Sequence, residues 1–138
     1  MSDTMKIVYS DPKTGKSAQL VVEGDKAVVL LNSKINDVID GDTIGLAGYK
    51  LKITGGSDDS GFPLMKGING AIKTSVLRKV ATSGRKNGIH ERLTVRGSTI
   101  SSDTVQVNTM IVEYGSKPLS ELFPEKKKEE TASKEAAK

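Results

Sequence analysis

The sequence predicts an all-β or β-rich fold, a barrel or sandwich of short strands with little helix. Several short segments alternate apolar and polar residues with period two, glycine-bearing turns separate them, and only one weak helix signal falls among them. Residues 5–10 alternate as a first strand behind a polar leader. Asp11-Pro12-Lys13-Thr14-Gly15 is a tight turn, with glycine placed where positive φ is needed. Residues 17–23 then form the second arm of a hairpin. Gly24-Asp25 turns the chain again before an apolar run at 27–31, and residues 33–38 read as one helical turn capped by Ser33.

From Tyr49 to Thr54 the alternation is strict. Tyr49, Leu51 and Ile53 face one way and Lys50 and Lys52 the other, which makes a half-buried strand with a basic outer face. A loop almost without side-chain bulk follows, Gly55-Gly56-Ser57-Asp58-Asp59-Ser60-Gly61, closed by the apolar Phe62-Pro63-Leu64-Met65. Residues 72–80 mix β-branched and basic side chains and read as a strand, with a short helix as the alternative. Residues 81–88 form a basic loop interrupted by glycine. Arg92-Leu93-Thr94-Val95-Arg96 alternates with both arginines on one face. Residues 104–113 hold Val105, Val107, Thr109 and Ile111 in one register, the longest strand signal, ended by Gly115. The organisation expected is therefore a β domain over residues 1–115 and a segment over 116–138. In the latter, residues 118–123 suit a short docked helix, and the charged remainder is expected to be a flexible tail.

Composition permits a core and removes many functions. The chain has 138 residues, 36% of them hydrophobic and 28% charged, with two Phe, three Tyr and no Trp, so the core must come from aliphatic side chains. No apolar run approaches the roughly 20 residues of a membrane span, and no secretory leader is evident, so a cytoplasmic protein is expected. The absence of cysteine excludes disulfides, thiol nucleophiles and cysteine-ligated metals. The sole histidine, His90, founds no metal site with Glu91 beside it, and it reads as a surface residue. Asp58-Asp59 lacks the alternating ligands of a calcium loop, and the glycines at 55–61 are followed by no Gly-Lys-Ser/Thr. Neither catalysis nor a cofactor, metal or small-molecule substrate is expected.

Charge is unevenly spread. The net is +4, yet residues 50–96 hold ten basic groups against three acidic ones (+7), all four arginines among them, while the flanks are slightly acidic. Such a block suits a polyanion, because neutralising phosphates releases counterions, and it suits equally a basic face kept for solubility. Lys126-Lys127-Lys128 is offset by Glu129-Glu130 and reads as a solvated tail.

Two stretches carry a specific resemblance. Lys52-Ile53-Thr54-Gly55-Gly56-Ser57-Asp58 followed by Gly61-Phe62-Pro63-Leu64, and downstream Val95-Arg96-Gly97, are similar in order and spacing to the signatures of the small-subunit ribosomal protein S-six-e family, shared by archaea and eukaryotes. The likeness runs from about Met5 to Gly115 and takes in Asp40-Gly41 and Gly45. Leu64 stands where methionine is common, and only Arg92 supplies base just before the second motif. The resemblance implies a β-barrel body and a non-catalytic component of the small ribosomal subunit that binds ribosomal RNA and neighbouring ribosomal proteins. The short form looks archaeal, so the phosphorylated extension of eukaryotic members is not carried over. The residues expected to meet RNA are Lys50, Lys52, Lys66, Arg85, Lys86, Arg92 and Arg96 through phosphates, with Gly55, Gly56, Gly61 and Gly97 permitting close approach of the backbone. Phe62 either stacks on a base or plugs the core, and with so few aromatics the core has the stronger claim. The other readings are a free-standing β-barrel factor in transcription or RNA processing, and an enzyme using the glycine loop for a phosphorylated small molecule.

Overall fold

A computed structural model describes residues 4–80, 83–85 and 87–116. The helix expected at 118–123, the tail beyond it and Lys86 lie outside the described residues. The chain runs β1 (Thr4–Ser10), β2 (Ser17–Glu23), α1 (Asp25–Val28), β3 (Val38–Asp40), a 3-10 turn (Gly41–Ile44), β4 (Lys50–Asp58), β5 (Lys73–Lys79), β6 (His90–Arg96) and β7 (Thr104–Glu113). Strands β2-β1-β7-β4-β3 form one sheet in that order, curled into a half-barrel, and β5 and β6 form a separate two-stranded sheet, with Arg96 at the end of β6 bridged to Leu64. The strand-rich expectation holds, with two refinements. The sheet is open at the β2 and β3 edges, and β1 pairs with β7 in parallel rather than antiparallel fashion. The first and last strands are joined by the rest of the chain, which easily supplies the crossover that parallel pairing demands.

Alternation builds the core. Met5, Ile7 and Tyr9 of β1 point inward, as do Leu51 and Ile53 of β4 and Val107, Thr109 and Ile111 of β7. Leu30 and Ile100 come from the connections and are buried in the same core. Each such aliphatic side chain contributes ~1.5–3 kcal/mol by leaving water. The β1–β2 turn forms as expected and is locked to the end of β7. Both Asp11 carboxylate oxygens accept hydroxyl hydrogen bonds, Oδ2 from Thr14 at 2.6 Å and Oδ1 from Tyr114 at 2.5 Å. These bonds, Thr14's foremost, hold the Asp11 carboxyl down at about 2, and the Tyr114 hydroxyl is pushed up to about 12 by the bond to Asp11 and by burial.

Two expectations are corrected. The helical turn is not at 33–38 but at Asp25–Val28, where Ala27 is buried. Residues 33–37 instead bond to distant backbone: the Ile35 amide donates to Ser98 and the Asn36 amide to Ile53, with Asn36 at φ 78. Those long-range bonds outcompete a short helix that has no packing of its own. The glycine stretch after Thr54 is not a free loop either, since β4 continues through Gly55, Gly56 and Ser57 to Asp58 along β7, with register shifts between Ile53 and Gly55 and between Ser57 and Asp58.

Candidate nucleic-acid interface

The basic third of the chain is sorted by strand register. In the β5–β6 hairpin, Lys73 stands opposite Arg96, Ser75 opposite Thr94, Leu77 opposite Arg92 and Lys79 opposite His90. Because side chains alternate, these eight residues share one face, on which Lys73, Lys79, His90 and Arg92 are exposed. Arg85 is exposed in the connection between the two strands, and Lys66 near the hairpin base. Sequence reasoning singled out Arg92 but passed over Lys73 and Lys79. The signal that finds them is parity: once residues 73–79 are paired with 90–96, the two lysines fall beside Arg92.

Arg96 is placed differently from the other cations. Its Nε donates to Asp58 Oδ2 at 2.9 Å, an Nη donates to Asp103 Oδ2 at 3.1 Å, and its side chain is only 14% exposed. Asp58 is buried and also accepts the Phe62 amide at 2.7 Å. Burial by itself would raise the Asp58 pKa, but the hydrogen bonds from Arg96 and the Phe62 amide outweigh it and hold the carboxyl below its ordinary value. The guanidinium is pushed up in turn by its bond to Asp58. Backbone bonds flank this ion cluster, with the Arg96 amide donating to Pro63 and the Met65 amide to Arg96. Arg96 thus rivets the base of the hairpin to the end of β4.

The glycines separate in the same way. A Cβ on Gly97 would lie 1.9 Å from the Gly70 carbonyl oxygen, and one on Gly56 would lie 2.4 Å from that of Gln106, so both are required by packing inside the protein. Gly55 and Gly61 face open space, and Gly61 sits at φ +84 in the turn that brings Phe62 back to Asp58. Phe62 is partly buried outside the main core, with Lys73 Nζ 4.3 Å above its ring. On β4, Lys52 is partly exposed, and Lys50 reaches Glu113 at 3.0 Å in a surface pair. Of the predicted set, the structure brings Lys66, Arg96 and Gly97 to one end of the molecule. It leaves Lys50 and Lys52 on the outer side of the half-barrel.

What the fold and this surface define is a small strand-rich protein that carries a cationic ribbon, with no cluster of metal ligands among the described residues. The chain belongs to the family described as ribosomal protein S6e, whose model matches residues 5–124. It is 44% identical over 133 residues to the small ribosomal subunit protein eS6 of Methanocella arvoryzae, covering 92% of this chain and 91% of that one. Similar matches are found to the proteins of the same name from Nanoarchaeum equitans, 47% identical over 124 residues (90% and 93% covered), and Methanothermobacter thermautotrophicus, 48% over 120 (86% and 94%). The resemblance read from the two motifs is borne out, and the chain is a ribosomal protein of structural rather than catalytic kind.

Proposed function

We propose that this protein serves translation as a structural constituent of the small ribosomal subunit, in the cytoplasm, and grips ribosomal RNA with the cationic face of its β5–β6 hairpin. The observation that carries the reading is the register placing Lys73, Lys79, His90 and Arg92 on one exposed face. A two-stranded ribbon presents such side chains at regular spacing to phosphates, which dominate contacts to folded RNA. Lys66 and Arg85 extend the face at its base and in its connection, and Lys86 adds a further charge in the sequence. Gly55 and Gly61 offer open backbone, and Lys52 a flanking charge. Lys50 contributes after release from Glu113. Arg96 and Gly97 serve by fixing the base of the hairpin, and Gly56 by letting β4 lie close against β7. The protein needs no cofactor, and its partners are ribosomal RNA and neighbouring ribosomal proteins.

The test is the salt dependence of binding to small-subunit ribosomal RNA. Replacing Lys79 and Arg92 together with Ala should weaken binding and reduce the log–log salt slope by ~1.5, at roughly 0.7–0.9 per phosphate. An unchanged slope, in a variant that folds, places the RNA elsewhere.

A further inference from the structure

The cationic face of the hairpin has an apolar residue at its centre. Leu77 alternates with Ser75 and Lys79 along β5 and stands directly opposite Arg92, whose own neighbours on that face are Thr94 and His90. At 67% exposed, Leu77 is the most open of the large aliphatic side chains among the described residues. The other strand aliphatics of the hairpin, Val76, Leu93 and Val95, fall on the opposite parity. Leu77 therefore stands alone among lysine, arginine, histidine and two hydroxyls.

Its place decides what it can meet. Cross-strand partners have Cβ atoms ~5 Å apart, and residues two along a strand are separated by roughly 6.5 Å. Leu77 and Arg92 thus stand side by side, with Lys79 one step further on. A polyanion that settles on these cations must cover Leu77 as well. A phosphate offers a leucine no apolar surface, and holding one there strips water from the anion without a hydrogen bond in return. A nucleobase turned out of its stack does offer such a surface, and guanidinium planes are recurrent stacking partners for such bases in RNA recognition. Arg92 is free to serve in that way. Whereas Arg96 is held by Asp58 and Asp103, Arg92 is exposed and enters no ion pair among the described residues.

On the reading that RNA takes this face, we propose that Leu77 and Arg92 form a base-holding site at its centre. An unstacked nucleobase of the ribosomal RNA packs on the Leu77 side chain and against the plane of the Arg92 guanidinium. Lys73 and Lys79, on the two sides of Leu77 along β5, hold the flanking phosphates. The hairpin accordingly selects an unpaired nucleotide, in a loop or bulge, over a regular duplex whose bases are stacked out of reach.

The test places an aliphatic diazirine amino acid at position 77 of the full-length protein and irradiates assembled small subunits that carry it. The joined nucleotide is mapped by mass spectrometry after nuclease digestion. The expected product is a crosslink to the base of an unpaired nucleotide. A crosslink to a paired segment, to a second protein, or to nothing in subunits containing the variant overturns the proposal. Binding to purified small-subunit ribosomal RNA gives a second measure. Leu77→Ser removes apolar contact but no charge, so affinity should fall roughly tenfold with the log–log salt slope unchanged. Arg92→Lys keeps the charge and loses the plane, and should weaken binding several-fold, again at constant slope. Wild-type affinity in either variant overturns the base-holding site. Failure of the underlying reading looks different: if Lys79→Ala with Arg92→Ala leaves the slope unchanged, RNA is not on this face at all. A reduced slope in that double variant, with Leu77→Ser silent, keeps RNA on the face and removes only the base.

Discussion

The half-barrel and the hairpin are built from the same kind of alternating strand, and they put alternation to opposite uses. In the half-barrel, one parity of β1, β4 and β7 enters a shared core, and Ile7, Leu51, Ile53 and Val107 lose all contact with water. In the hairpin, the equivalent parity is fully buried only at Val95 among the described residues, half-buried at Val76, and exposed at Leu93, Ile89 and Val80. Stability is therefore expected to reside in the body and binding in the ribbon. Arg96, with Asp58 and Asp103, is the joint between them.

The largest test of that division is a cavity in the body. Ile53→Ala removes a fully buried side chain and should cost ~3–5 kcal/mol in urea unfolding, whereas Leu93→Ala on the ribbon should cost under about 1. Equal losses would show the hairpin to be part of the cooperative core.

Next comes the joint. Asp58→Ala leaves the largely buried Arg96 guanidinium with Asp103 and the Ala71 carbonyl and should destabilise by about 3 kcal/mol, a figure typical of breaking one side of a buried pair. A loss near that of an exposed pair, under ~1 kcal/mol, would mean that the rivet holds nothing.

The glycines sharpen the contrast further. Gly97→Ala drives a methyl into the Gly70 carbonyl and should cost about 2 kcal/mol or more, while Gly55→Ala meets open space and should fall within ~0.5 kcal/mol in thermal unfolding. If Gly55→Ala nonetheless weakens RNA binding, its open face is part of the interface.

The smallest effect is acid sensitivity. Asp11 titrates at about 2 in the fold against 3.8 ordinarily, so its ionised form is favoured by folding. That contribution is complete above 3.8 and is lost as pH falls from there toward 2, with Asp58 adding to the loss in the same direction. Urea midpoints followed down the acid limb should decline less steeply in Asp11→Asn. Parallel curves would show that the turn carboxylate is not linked to folding.

Much of this was legible in the linear chain. Period-two alternation at 5–10, 49–54, 92–96 and 104–113 fell within β1, β4, β6 and β7, save that β4 begins at Lys50. The two glycine-bearing motifs pointed to the family to which the chain belongs. What was not legible was pairing at a distance. Gly55 and Gly56 read as a loop because nothing local reveals that β7 lies alongside and that its Gln106 carbonyl leaves no room for a side chain. Arg92 and Arg96 read as equivalent because they share a strand and a parity. Only the approach of Asp58, 38 residues earlier, turns one of them inward.

The amino-acid order by itself determined which stretches become strands, which of their faces are apolar, where positive charge is concentrated and which family the chain joins, since these depend on residue type and short spacing. The tertiary structure alone decided that Arg96 is a rivet while Arg92 is exposed, that Lys73 and Lys79 share the face of Arg92, and that Val95 on the other face is buried while Leu93 is exposed. Register and burial are set by contacts between residues far apart in the chain, and no local pattern encodes them.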